Sequence, residues 1–199
     1  MKNINDSYLF NKNILMRVDL NVPVVGGKIT EKSRIEVVKK SIKKLLKQNN
    51  KIFLISHYGR PKGRFDKKYS LNFIIETLEK EFQIKKISFL NDYDNTIIKK
   101  KIISMQGGEL CLFENIRFFP GEEKNDQNFS KDIAKNFDAY VNDAFSVSHR
   151  NHASVVGVTN FLPSFAGYSL INEIENIDSF VKSPKKPNLA IIGGSKIST

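Results

Sequence analysis

The chain has 199 residues, 27% of them charged and 40% hydrophobic, with a formal net charge of +11. That length suits one domain with part of a second, and a domain of about 170 residues buries roughly 70% of the surface its unfolded chain exposes, so no staples are needed. The single cysteine, Cys111, excludes an intrachain disulfide and fits a reducing compartment, while the amino terminus lacks a signal-peptide stretch and no apolar run reaches membrane-span length; a soluble, cytoplasmic protein is expected.

Short apolar runs alternate with helical patterns along the chain. ILMRVD (14–19) predicts a strand and 33–48 a helix; KIFLISH (51–57) is followed by a helix over 71–82, and KISFL (86–90) by one over 95–105. ELCLFEN (109–115) then precedes a helix over 128–137, and AYVNDA (139–144) closes the series. This rhythm predicts a Rossmann-like α/β fold, a parallel sheet flanked by helices, and the near-continuous apolarity of the strands fits a sheet covered on both faces. A helical pattern over 171–182 leads through SPKKP into NLAIIGGSK. The proline-flanked break divides the chain into a domain over 1–170, a connecting helix and linker over 171–186, and a strand with a Gly-Gly turn over 187–199, truncated before the rest of a second α/β domain.

The positive charge invites a nucleic-acid reading, but the lysines of KKSIKKLLK and IIKKKII fall on the outward faces of helical patterns. Ile35, Val38, Ile42, Leu45 and Leu46 form the inward stripe of the first. No aromatic residues interleave with the basic runs, so neither nucleic acid nor membrane is an expected partner. The field of the chain still concentrates small anions near it.

Arginine is used differently. Lysine outnumbers arginine 26 to 6, yet five of the six arginines (Arg17, Arg34, Arg60, Arg117 and Arg150) lie in or beside short polar motifs, as do all three histidines. Where any positive charge would serve, this chain uses lysine; arginine supplies a planar fork of donors suited to carboxylates and phosphates. Open parallel sheets bind ligands beyond the carboxyl ends of their strands, and Asp19, Asn21, His57, Arg60, Arg117 and Arg150 all follow predicted strands. Asp19 and Asn21, two apart, can point the same way from an extended backbone toward a hydroxylated ligand, or can serve a turn before Pro23. Arg17, two residues earlier, can pair with Asp19 and is read as structural. His149 and His152 are spaced for a shared helix face but lack further ligands, so no metal site is expected.

MRVDLNVP, SHYGRPKG, FENIRFFPGEEKND, YVNDAF with HRNHAS, and AIIGGSK occur in the order and at the spacings of the phosphoglycerate kinase family, and the resemblance runs from about residue 10 to the last residue. It implies the amino-terminal half of such an enzyme, a cytoplasmic monomer of glycolysis that transfers a phosphoryl group between 1,3-bisphosphoglycerate and ADP to give 3-phosphoglycerate and ATP. Asp19 and Asn21 would meet the hydroxyl and carboxylate end of the substrate. His57, Arg60, Arg117 and Arg150 would hold its carboxylate and the phosphate that does not move. Arg34 and Lys196 would face the phosphoryl group in flight, with Gly194, Ser195 and Lys196 on the nucleotide side. The turn is not a phosphate loop of the GxxxxGK[ST] kind. The adenine pocket and the carboxylate for the nucleotide's Mg2+ are expected outside this chain, which is therefore predicted inactive alone. Ser146-Val147-Ser148 stands where the family usually has Gly-Thr-Ala. A stand-alone small-anion-binding module without kinase activity is the competing reading.

Overall fold

The computed structural model describes residues 2–5, 8–184, 186–187 and 189. Its strands are β1 (Asn13–Arg17), β2 (Val24–Val25), β3 (Lys28–Ile29), β4 (Lys51–Ile55), β5 (Ser88–Leu90), β6 (Leu110–Phe113), β7 (Ala139–Asn142) and β8 (Ser164–Ala166). The α-helices are α1 (Ser33–Lys47), α2 (Ile75–Phe82), α3 (Asn95–Ser104), α4 (Pro120–Glu123), α5 (Gln127–Ala134) and α6 (Tyr168–Lys182). Six strands form one parallel sheet in the order β5-β6-β4-β1-β7-β8. The five strands read between residues 14 and 144 are all in it. β8 was not foreseen, and neither was the β2–β3 hairpin, whose Gly26 and Gly27 take positive φ values of 57° and 76°. Two residues in that region make the tight turn that matches strand twist.

The period of two in a strand sends neighbouring residues to opposite faces of the sheet. Ile14, Met16, Ile52, Leu54, Leu110 and Val141 pack with Ile35, Val38, Ile42 and Leu45 of α1 and Leu78 of α2. Leu15, Phe53, Cys111, Phe113 and Tyr140 pack on the other side with Ile98 of α3 and Ile133 of α5. Two apolar layers therefore sandwich the central strands, which is why those strands show no polar alternation. Ser41 replaces an apolar residue on the inner stripe of α1, and Leu46 is only half-buried beside it. Burial pushes the Cys111 thiol up to about 12, so it is a core side chain and not a reactive one.

Most helix starts lie close to the sequence reading, with two informative differences. The predicted helix over 71–82 begins with a 3-10 turn, Asn72–Ile74, before α2. The connecting helix begins at Tyr168, earlier than 171, because its cap comes from across the sheet and not from its own flank. Asp143, just past β7, accepts from the amides of Ser169 at 2.7 Å and Leu170 at 3.2 Å. The approach leaves no room at Gly167, where an added Cβ would meet Asp143 Cγ at 2.3 Å. The carboxylate thus satisfies two of the orphan donors that open any helix. The expected tail strand over 187–199 falls almost wholly outside the described residues.

Asp143 is nearly inaccessible, and burial raises its carboxyl from 3.8 to about 6 against the donors that surround it. A carboxyl whose folded pKa exceeds its unfolded one contributes stability below the unfolded pKa and loses it as pH rises through the folded one. The window here is therefore about pH 4 to 6, with a span on the order of 3 kcal/mol. Asp143→Asn keeps an acceptor without the charge, so its stability relative to the unaltered chain should rise from pH 4.5 to pH 7 in urea unfolding. A difference that stays constant with pH would refute this assignment.

Candidate functional site

The site is assembled at the carboxyl ends of β1, β4, β6 and β7, and its foundation is Arg17. This residue is 1% exposed, at the last position of β1. Its Nη1 donates to the carbonyls of Val18 at 3.3 Å and Ile55 at 3.2 Å, and its Nη2 lies 3.1 Å from His57 Nδ1. The expectation that Arg17 pairs with Asp19 is thus corrected in its partner. An arginine has no acceptor to offer, so Nδ1 of His57 must accept and Nε2 must carry the proton. Burial first, and then Arg17, Arg117, Arg150 and Arg34 in turn, hold His57 far below its usual range. Histidine is therefore a neutral donor here and adds no charge.

Asp19 and Asn21 leave β1 with separate tasks. Asp19 Oδ1 accepts from the Asn21 amide at 3.0 Å, and Oδ2 accepts from Arg34 Nη1 and from the Ser146 hydroxyl. Asn21 Oδ1 accepts from the Gly59 amide at 2.9 Å, tying the first loop to the second. The backbone between them is held by Ser56 Oγ, which accepts from the Leu20 amide at 2.8 Å. Gly59 has φ 59°, and an added Cβ would strike the Tyr69 ring at 2.4 Å. That glycine is required by conformation and by space.

The third loop is fixed by Asn115, whose Nδ2 donates to the carbonyls of Tyr58 at 2.7 Å and Tyr69 at 2.9 Å, while its Oδ1 accepts from the Arg117 amide at 3.1 Å. The Arg117 guanidinium is 4% exposed; its Nη1 donates to Gly59 O at 2.8 Å, and its Nε lies 3.4 Å from Glu123 without hydrogen-bond geometry. Burial, followed by the charge of Arg150, lowers its pKa despite Glu123. The loop beyond Arg150 is anchored by Glu122, fully buried, which accepts from the Ser154 amide at 2.8 Å and hydroxyl at 2.7 Å. Burial works against the Glu122 charge, but bonds from His152 and Ser154 and the charge of Arg17 still hold its carboxyl below the usual value. His152 lies 3.6 Å from Glu122, so it serves that buried anchor, while His149 is exposed. Among the described residues no three acidic, histidine or cysteine side chains gather as metal ligands.

Asp19, Asn21, Arg34, His57, Arg117 and Arg150 therefore come together, through direct contacts or through mutual fields. Arg60 is exposed at the end of the same loop as His57. Gly194, Ser195 and Lys196 lie outside the described residues. Sequence reasoning missed Ser146, Asn115 and Glu122: each acts through a partner distant in the chain, although the polar residues of NDAFSVS and FENIRF lie within the motifs already noted. Arg34 borders two clefts, one with Asp19 and Ser146 and one with Asn21, Tyr58 and Gly59.

The chemistry of this arrangement follows from what is unpaired. The Nε atoms of Arg17, Arg117 and Arg150 are buried without a hydrogen-bond partner. Buried donors are normally satisfied, and like charges held together in low dielectric repel. An anion relieves both. A parallel sheet with helices on both faces and guanidinium groups gathered beyond its strand ends defines a domain of the open, doubly wound α/β class.

A family model described as phosphoglycerate kinase matches residues 4–199. Phosphoglycerate kinase of Bartonella quintana (strain Toulouse) is 42% identical over 198 residues, 100% of this chain and 50% of that protein. That of Wolbachia sp. subsp. Drosophila simulans (strain wRi) is 44% identical over 196 residues, 98% and 49% of the two chains. Among solved structures, phosphoglycerate kinase from Coxiella burnetii superposes with a TM-score of 0.81 at 34% identity, covering 93% of this chain and 46% of that one. The enzyme from Pyrococcus horikoshii OT3 gives 0.89 at 28%, covering 99% and 50%. The chain belongs to the phosphoglycerate kinase family, and it spans about half the length of the curated relatives it matches.

The neutral state of His57 is testable. Because its folded pKa lies far below the unfolded value of 6.5, it should titrate in the unfolded chain but not in the folded one, and the stability it contributes should be lost as pH falls below about 6.5. In proton–nitrogen spectra the His57 ring should keep one tautomer from pH 8 to pH 5. Titration with a midpoint near 6.5 in the folded chain would contradict the buried, arginine-capped ring.

Proposed function

We propose that this chain is the acid-binding half of a phosphoglycerate kinase, and that its site takes 3-phosphoglycerate or 1,3-bisphosphoglycerate. The single observation that carries this reading is the convergence of Arg34, Arg117 and Arg150 on the field around a neutral His57, in the same strand-end cluster as Asp19 and Asn21. A substrate with a carboxylate, a hydroxyl and a phosphate matches those three chemistries. Each charge-assisted hydrogen bond would add about 1.5 to 3 kcal/mol where water is excluded.

In the intact enzyme the acyl-phosphate bond of 1,3-bisphosphoglycerate breaks as a terminal oxygen of ADP bonds to the same phosphorus, giving ATP and 3-phosphoglycerate. Such a transfer needs in-line positioning and charge matched to the equatorial oxygens more than covalent help. Arg117 and Arg150, with Arg60 at the rim, grip the stationary phosphate and carboxylate. His57 donates Nε2–H, and Asp19 and Asn21 orient the hydroxyl end. Arg34, between the two clefts, is the mobile charge for the phosphoryl group, and Lys196, with Gly194 and Ser195, is its counterpart on the nucleotide side. Magnesium would arrive with the nucleotide as charge neutralisation, and no residue described here has the ligand set to hold it. We assign residues 1–170 to the acid-binding domain, 171–186 to the connecting helix and linker, and 187–199 to the start of the nucleotide domain, in a cytoplasmic monomer.

The 199-residue chain should bind 3-phosphoglycerate with a Kd on the order of 1 mM, about 4 kcal/mol, and should form no ATP. Arg117→Ala should abolish measurable binding in a chemical-shift titration. No response of the unaltered chain at tens of millimolar ligand, or turnover by it, would reject the proposal.

Joined to the carboxyl-terminal half of a relative, the chain allows a kinetic division. Arg34→Lys should lower kcat by about 100-fold or more with little change in KM, since it removes fork contacts made in the transition state. Arg117→Lys should mainly raise KM for the acid. Equal profiles for the two variants would reject the division of roles.

A further inference from the structure

Ser146 belongs to no motif role read from the sequence, yet its hydroxyl donates to Asp19 Oδ2 at 2.5 Å. The same oxygen accepts from Arg34, while Oδ1 accepts from the amide of Asn21 at 3.0 Å. A carboxylate oxygen has about two lone-pair sites, so Oδ2 is filled and Oδ1 keeps one site for a ligand. Among the described residues, Arg34 and Ser146 are the hydrogen-bond donors to Oδ2.

The hydroxyl of Ser146 is not needed to form its own turn. Ser146 is exposed, and the 3-10 turn Phe145–Val147 closes through Val147 N to Ala144 O at 3.2 Å, Ser148 N to Phe145 O at 3.0 Å and Ser148 Oγ to Ala144 O at 3.0 Å. Exposure is also unequal across the cluster. The side chain of Arg34 is 39% exposed and that of Asp19 only 10%, so the guanidinium can leave and the carboxylate cannot follow it. Without a second donor, departure of Arg34 would leave Oδ2 of a largely buried carboxylate without a protein partner, which costs a charged acceptor free energy.

Resting on the reading that Asp19 and Arg34 engage the acid substrate, we propose that Ser146 is a positioning residue whose hydroxyl stays on Asp19 Oδ2 while Arg34 turns from Asp19 to the substrate. Ser146 keeps the carboxylate satisfied and its Oδ1 aimed at the cleft, so the release of Arg34 costs less. A hydroxyl suits this task because it rotates to follow its acceptor. The effect reaches substrate through Asp19 alone.

The test is a titration of the 199-residue chain with 3-phosphoglycerate, followed by chemical shifts, for the unaltered protein, Ser146→Ala and Ser146→Thr. The alanine variant should bind about tenfold more weakly, and threonine, which restores the hydroxyl, should return affinity to within about twofold. Inorganic sulfate, which offers Asp19 no hydroxyl, should bind all three alike, and thermal midpoints should agree. Unchanged affinity in the alanine variant would overturn the proposal while leaving the parent reading intact. Threonine as weak as alanine, or midpoints that fall in step with affinity, would assign Ser146 a purely structural part and overturn it as well. No binding by the unaltered chain would bring down both readings.

Discussion

A guanidinium buried in the centre of the sheet is the constraint on which the site depends. Arg17 cannot be solvated, so its Nη donors turn to protein, namely the carbonyls of Val18 and Ile55 and the ring nitrogen of His57, while its Nε has no hydrogen-bond partner. Val18 and His57 lie on the loops after β1 and β4 and Ile55 is the last residue of β4, so these bonds fix both loops relative to the strands. Its charge also reaches Glu122, which in turn holds the loop beyond Arg150. One buried cation therefore sets the tautomer of a histidine and the place of two loops, and it contributes to the ionisation of a distant carboxylate. Burying a charge without such partners would be prohibitive.

The basic edge beyond the strand ends is then built with its donors in surplus. Arg117 and Arg150 retain buried Nε atoms without acceptors, and the cations that surround His57 are all arginines. Stability would be better served by fewer positive groups or more acids nearby. Preorganised donors that face each other before a ligand arrives carry a standing electrostatic penalty, and a ligand that removes it gains affinity without any rearrangement of the scaffold. The arrangement is the expected mark of a binding site on an otherwise consistent fold.

Much of the sheet was legible because β1, β4, β6 and β7 are buried on both faces and so are written as uninterrupted apolar runs. β8 escaped because Ser164, Phe165 and Ala166 are too short a run to show a period and are closed in by Pro163 and Gly167. The hairpin escaped for the same reason, with two residues in each strand. At the site, the scarcity of arginine made its placement informative, and the convergence of the motif loops followed from strand order. What could not be read were pairings across the fold: Ser146 and Asp19 meet across 127 positions, and Asp143 reaches forward to cap α6. Local spacing suggested Asp19 as the partner of Arg17, yet the two point to opposite sides of their strand end's needs, one to backbone and histidine, the other to Arg34. The neutrality of His57 depends on a field summed from four arginines and has no local signature.

The loop after β7 has a mechanical consequence. Asp143 grips the first turn of α6, and Ser146, one 3-10 turn further on, grips Asp19. The segment between these two attachments is closed by its own backbone bonds, so the loop carries one contact to the helix and another to the carboxylate. The first turn of α6 is thus linked to Asp19, and through it to Arg34, by a chain of hydrogen bonds spanning four residues of one loop. Helix cap and site carboxylate hang on the same few atoms.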